Sequence, residues 1–559
     1  MFLLFPCAAA GGIWKNLNRK FLKFVGHLMN KIQMVLVSLA RGALVIVFML
    51  FVLTQENCGA SQIRSRRVGN ANEITLDAGG DLQGAIKAAS FGDTIILQAG
   101  ATYRGPLVLP DKGVGSGDDY ITIRTSDLAG IAKEGERVNP AQARAMPKIV
   151  SPSKQSAVST QAQAHHYHFI GIEFSPASDS DYVYNLIDLG STSYSSVSEF
   201  PHHLVFDRCY VHSTGLNKAR RGFALNSAET SIINSYVSGF AGADDETQAV
   251  AGWNGPGPFH IVNNFLEGGA EVLLFGGADP SIPNLVPSDI EIRRNYFHKP
   301  AAWQGRAQIK GTLELKNARR VIIDGNLFES EILVTAFVIT VRNQDTKAPW
   351  STIEDVQIRN NIVRHASTGI NILGKDNYAP SQEAKRIRIA NNLFEDVFTT
   401  GEIAYLLQIN GTDGVTIEHN TVQQGGNIIT SYGEPATNFN FSNNILQFNL
   451  YGIACSIGTP CPDIPFCHCF PNATVKGNII ADNTNVSAAY PIDKAFPPGN
   501  YIVRSYDEVG FLNYAKGDWQ LSPRSKYRGK GSDGKDPGAD VAALNASGVR
   551  SAKEGTAAK

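Results

Sequence analysis

The first thing missing is a surplus of charge: 50 basic residues stand against 51 acidic ones, a formal net charge of −1. Without a single-sign field, the composition recommends neither nucleic acid nor an acidic membrane surface as a partner. Cysteine is scarce, with 7 in 559 residues, and no spacing among them gives the paired CxxC framework of a structural zinc module. Helical periodicity is missing from most of the body, which argues against an α-helical repeat array. What remains is 43% hydrophobic and 18% charged residues, with 53 glycines punctuating many short apolar runs. That is the composition of a folded body, disordered only at its ends. Length leaves the domain count open, because elongated repeat folds reach this size as one unit.

The amino terminus reads as an export signal. Lys15, Arg19, Lys20, Lys23, Lys31 and Arg41 precede an apolar run at 42–53, and Cys58, Gly59 and Ala60 supply the small residues an export peptidase reads. Residues 1–60 are therefore expected to be a signal peptide with a basic leader, and the mature chain to begin near Ser61 and lie in the periplasm or outside the cell. An uncleaved anchor is the competing reading, since residues 34–54 are long enough to span a bilayer. Arg41 interrupts that run, however, and no stop-transfer flank follows. After cleavage no membrane contact is expected, and the folded chain is expected to be a monomer. Export also makes the cysteines readable. Cys455, Cys461, Cys467 and Cys469 share one short loop, which predicts disulfides with three pairings open; a zinc site that includes His468 is the alternative.

A repeat organises the rest. Two or three alternating apolar residues, an Asn or small polar residue and a further apolar pair recur ten times, as in 204–211 (LVFDRCYV), 321–328 (VIIDGNLF), 387–394 (IRIANNLF) and 473–480 (ATVKGNII). The turn asparagines Asn264, Asn295, Asn326, Asn361, Asn392, Asn420, Asn444 and Asn478 are spaced by 24 to 35 residues. Strands at such a period mean a stacked β solenoid, with alternate side chains inside and outside. Asn suits the corner because it tolerates left-handed backbone angles and hydrogen-bonds along a stack of identical neighbours. A further strand after each corner, as in 312–316 (TLELK) and 337–342 (FVITVR), predicts a second sheet along the same cylinder. Ahead of the repeats, Leu82, Ala85, Ile86 and Ala89 share one helical face, and an apolar strand follows at 93–97. This predicts a cap at 61–100, a β-helix at 101–540 with loop insertions, and a loose tail at 541–559.

The stretch 81–97, the following 100–105 (GATYRG), the Asn-Asn coils and the closing 533–540 (DGKDPGAD) resemble the pectate-lyase-like superfamily of right-handed parallel β-helices. More narrowly, they resemble the secreted bacterial right-handed β-helix repeat proteins. The resemblance covers residues 70–545 and implies an all-β, right-handed parallel β-helix with an N-terminal capping helix. It also implies an extracellular polysaccharide as partner, because the superfamily consists mostly of polysaccharide lyases and hydrolases, with adhesins and phage tailspikes beside them.

Stacking in register puts Lys316 and Arg342 on adjacent rungs, about 4.8 Å apart, on one exposed patch. A neighbouring cation favours the neutral form of Lys316, while Arg342 is suited to gripping a uronate carboxylate or protonating a leaving oxygen. The pair resembles the Lys base and Arg acid of β-helix alginate and chondroitin lyases, which implies Lys316 as base and Arg342 as acid in a β-elimination. By the same likeness, Glu314 is a substrate contact, Glu271 and Asp279 are calcium ligands, and calcium is the expected cofactor. Asn317 follows Lys316 where that family usually carries Ser. Trp253, Trp303 and Trp350 are expected in loops where flat rings stack on sugars, with Asn371 at the far end of the groove. A surface ion-pair ladder of Glu314, Lys316 and Arg342 is the non-catalytic alternative.

Two other fragments carry less. Asp244, Asp245 and Glu246 look superficially like the paired aspartates of polygalacturonases, but that family's accompanying signatures are missing, so a solvated loop or a cation site is expected. His165, His166 and His168 read as strand residues with exposed histidines. Three functions remain open: a lyase acting on a uronate-containing glycan, a non-catalytic glycan-binding or cell-envelope protein, and a glycoside hydrolase.

Overall fold

The computed structural model describes residues 64–546, apart from 69–70, 116, 118, 180, 399–403, 450, 456–465 and 483–490. The expected signal peptide, Cys461 and the last residues of the expected tail lie outside the described residues.

Every third strand returns to the same sheet, so each coil gives one strand to each of three sheets, of 16, 14 and 12 strands. The strands pair in parallel, apart from Arg64–Val68 with Ala71–Leu76 and one separate C-terminal hairpin. The result is a right-handed parallel β-helix, the hand that parallel crossovers take. It differs from the two-sheet expectation for a definite reason. The short apolar pair after each corner is a strand of its own, as in Tyr296–His298 and Leu327–Glu329. A pair of residues carries too little alternation to announce a strand.

Inside the coil, identical residues stack. Ile261, Ile292, Ile323, Ile358, Ile389 and Ile417 face one another on successive rungs of the first sheet and are fully buried. Between the first and second sheets, each corner uses two residues with different roles. The first takes the left-handed conformation, as in Asn263, Arg294, Asn360 and Asn391 with φ of 53° to 58°. The second is the buried asparagine. Asn295 accepts from the backbone N–H of Asn264 at 2.8 Å and donates to the Ile261 carbonyl at 2.7 Å, and this contact repeats through Asn478 to Asn500. Left-handedness and hydrogen bonding, expected of one residue, are thus divided between neighbours. Ser235 and Cys209 hold the same column in earlier coils, which places the lone thiol in the architecture.

The expected helix spans Leu82–Ala88, with Asp81 accepting from the Gly84 N–H and Leu82, Ala85 and Ile86 buried. Its Gln83 amide bonds both the N–H and the C=O of Val108, in the terminal strand of the third sheet, and so occupies backbone groups that an edge would leave open. The tail expected from 541 begins instead as a packed helix, Val541–Ala546, with Val541 and Leu544 buried. Residues 501–546 run back over the outside of the second sheet. There Tyr506, Trp519 and Tyr527 join the outward apolar residues of the sheet, from Phe265 to Ile479, in one buried cluster. Cys455 and Cys469 are joined in a disulfide. Among the described residues, no helix is long and apolar enough to cross a membrane.

Candidate functional site

The outer wall of the third sheet carries a connected set of polar side chains. Asn185, Arg221 and Gln248 stand opposite one another on successive rungs, and Glu271 opens the next. Glu314 lies in a column with Leu274 on one side and Val338 and Asn371 on the other. Arg221 Nε donates to Gln248 Oε1 at 2.9 Å, and Gln248 Nε2 donates to Glu271 Oε2 at 2.8 Å. The opposite end of the guanidinium bonds Asn185, whose amide donates to Asp188 at 3.1 Å. The Arg221 guanidinium also lies 4.9 Å from the Trp253 ring and 5.2 Å from that of Tyr184, so a flat aromatic surface adjoins the polar row.

At the heart of the row are two buried carboxylates. Glu271 is 0% exposed, and its Oε1 has no hydrogen-bond partner. Lys310 Nζ stands 4.0 Å from that oxygen while pairing with Glu246. Glu314 is 7% exposed, with Lys316 Nζ at 3.6 Å and the Thr340 hydroxyl at 3.4 Å. Burial pushes the Glu314 carboxyl up to about 7; Lys316 opposes that shift and the adjacent Glu271 adds to it. Burial likewise lifts Asp188 to about 6, against the Asn185 hydrogen bond and Arg221. Beneath them, Lys299 is fully buried and donates to the carbonyls of Gly268, Gly269 and Ala270, fixing the turn that delivers Glu271. Desolvation lowers that ammonium to about 7, and the Glu271 charge counteracts it.

The backbone N–H of Arg342 donates to the Lys316 carbonyl at 2.9 Å, so the two sit on adjacent rungs as stacking requires. Their side chains diverge. Lys316 turns to Glu314, whereas Arg342 binds Asp376 at 3.1 Å and Asn377 at 2.6 Å and lies over Tyr378. Each cation therefore has a carboxylate of its own, and the expected shared patch of two cations does not form. Asn371 lies two rungs beyond Glu314, with its Oδ1 unpaired. Of the three tryptophans, Trp253 is at the row. Trp303 is buried at 8% exposure in an apolar cluster with Ala241, Ile332 and Val334, which leaves no face for a sugar. Trp350 bonds the Leu285 carbonyl at 3.0 Å, half-buried on a loop.

Asp279 directs its carboxylate to the backbone N–H groups of Asp345 and Lys347, joining two loops. Glu271 lies apart from those loops, beside Glu314 and with Lys310 Nζ at 4.0 Å. Asp245 accepts from the Tyr182 hydroxyl at 2.7 Å, and Glu246 edges the row through Lys310. The histidines depart from expectation, since His165 and His166 are buried rather than exposed. Sequence reasoning also missed Arg221, Gln248, Asp188, Lys299 and Lys310. The signal for Arg221 and Gln248 was available, because each precedes an apolar stretch at the same register; it becomes visible only when the third-sheet strands are aligned.

No protein-family model matches the chain, and no curated protein matches it. Among solved structures it is similar to the complex of XylC with xylose, at 10% identity over 77% of this chain and 86% of that one, with a TM-score of 0.42. A GH87 α-1,3-glucanase catalytic unit from Streptomyces thermodiastaticus shows 11% identity over 79% and 69%, with a TM-score of 0.41. A PL6 polysaccharide lyase from Pseudopedobacter saltans shows 10% identity over 83% and 98%, with a TM-score of 0.38. Likenesses at this level carry no residue role or substrate across.

Proposed function

We propose that this chain cleaves a uronate-containing polysaccharide by β-elimination on the outer wall of its third sheet. The supporting observation is one cluster in which Glu314, held near neutrality, adjoins Lys316 and Glu271 beside the Arg221–Trp253 platform. Elimination needs positive charge on the uronate carboxylate, a base for the α-proton and an acid for the leaving oxygen. Lys316, paired with Glu314, serves the first need, and Glu314, which exchanges its proton near pH 7, serves the second. This reading moves the base from Lys316 to Glu314, because the neighbour of Lys316 is an anion rather than the cation that would favour a neutral amine. Arg342, one rung along and partly exposed, reaches the leaving oxygen only by turning away from Asp376 and Asn377. No step passes through calcium.

The test is the ultraviolet absorbance of the unsaturated product, together with new reducing ends, when the purified chain meets alginate, pectate and glycosaminoglycans. Glu314→Gln and Lys316→Ala should each lower kcat by about 100-fold or more while polymer binding persists. Since a base acts in its ionised form, the rate should rise as pH passes about 7. Reducing ends without absorbance would replace elimination by hydrolysis. Binding without either product would make the wall a glycan-recognition surface.

A further inference from the structure

On a different sheet from that wall, two consecutive-histidine pairs stack on adjacent rungs of the first sheet. His202 of the strand His202–Asp207 stands directly opposite His165 of the strand His165–Ile170. The rings pair face to face: His165 over His202 at 4.8 Å and 5°, and His166 over His203 at 4.3 Å and 9°. Neighbouring strand residues ordinarily point to opposite faces. Here His166 and His203 take φ of 57° and 52°, which breaks the alternation and brings each ring edge-on to its predecessor. Within each pair the Nδ1 atoms lie 2.6 Å apart.

The outer ring nitrogens determine what those Nδ1 atoms present. His165 Nε2 is 2.8 Å from the Gly113 carbonyl, which can only accept, so Nε2 carries the proton and the Nδ1 lone pair faces inward. His203 Nε2 is 2.7 Å from the Glu229 carboxylate, with the same consequence. A histidine whose far nitrogen donates to a carbonyl or carboxylate is the arrangement that orients metal-ligating imidazoles and raises their basicity. It occurs twice, on different rungs and different rings. Potential ligand atoms of His165, His166 and His202 all lie within 4.8 Å of one another, and so do those of His202, His203 and Glu229, so His202 joins the two groups.

We propose that His165, His166, His202 and His203 bind one divalent transition-metal ion through Nδ1, with Gly113 and Glu229 as the outer partners that fix the tautomers of His165 and His203, and with the proton that His166 and His202 hold on Nδ1 moving to Nε2 as the ion enters. An all-imidazole set selects zinc, copper, nickel or cobalt over calcium and magnesium, which prefer oxygen. Because the stacked rings hold their in-plane lone pairs parallel, a shared ion requires the rings of the two rungs to tilt toward each other until the nitrogens reach metal bonds of about 2.0 to 2.1 Å. His165 and His166 are buried, with Phe91 stacked on His165 at 4.9 Å, whereas the His203 and Glu229 side chains are 33% and 44% exposed. The ion therefore enters from the Glu229 side, and a water or ligand can reach it there.

The test is a titration of the chelator-treated full chain with zinc and cobalt, followed by calorimetry and by cobalt visible absorption. Saturable uptake of one ion per chain is expected. His165→Ala with His203→Ala should abolish it. Glu229→Gln, at a partly exposed side chain that leaves the fold intact, should weaken affinity by about 10- to 100-fold without changing the melting of the metal-free protein. Failure of the unaltered chain to take up zinc, cobalt, copper or nickel saturably would overturn the site. So would uptake unchanged in the double variant, or equal affinity in Glu229→Gln.

Discussion

The buried asparagine column shows how much one side chain holds at a corner. Asn361 accepts from the backbone N–H of Asn326 at 2.9 Å, accepts from the Asn326 amide at 3.0 Å, and donates to the Ile323 carbonyl at 3.0 Å. Every group it serves is sealed from water, so removal leaves donors and an acceptor with nothing in exchange. Asn361→Ala is expected to cost about 2 to 4 kcal/mol, read from the midpoint of denaturant unfolding. The equivalent change at the left-handed neighbour, Asn360→Gly, should cost far less, because glycine adopts that conformation freely. The sequence displayed both asparagines but gave no way to tell which was which: composition favours Asn for either role, and only backbone angles separate them.

At the scale of elements, the second sheet explains why the C-terminal segment folds back. Pairs such as Leu327 and Phe328 put one apolar side chain into the coil and its neighbour onto the outer face. A sheet that is apolar on both faces needs a cover. Tyr506, Trp519, Leu521 and Val541 provide it, and Trp519 Nε1 donates to Glu395 at 2.7 Å. Trp519→Ala is expected to destabilise this arm by about 3 to 5 kcal/mol, seen as early protease cleavage after residue 500 before the coils themselves yield. Trp519→Phe should retain most of the packing and lose the hydrogen bond alone. The outward apolar residues were visible in the sequence as the first member of each pair; their cover was not, because it lies at the other end of the repeat.

At the scale of the molecule, the solenoid converts sequence period into adjacency. Arg221, Gln248, Glu271 and Glu314 come from successive coils yet form one hydrogen-bonded and electrostatic row. If the row grips a polymer, groups away from the reacting carbons should affect binding more than turnover. Arg221→Ala and Trp253→Ala are each expected to raise KM about 10-fold for a long substrate with kcat little changed, measured in the same absorbance assay. An equal fall in kcat would instead place them at the reacting carbons.

By itself, the sequence determined the β-helix, its period, the helix at 82–88 and the adjacency of residues 316 and 342. Apolar alternation and a recurring corner residue are local facts, and a repeat propagates them without further information. Tertiary structure alone decided that there are three sheets, that Lys316 and Arg342 each turn to a separate carboxylate, that Trp303 is core, and that four histidines meet. The direction of a side chain on a rung depends on what the neighbouring rungs and loops present to it, and those neighbours lie a full coil or more away along the chain.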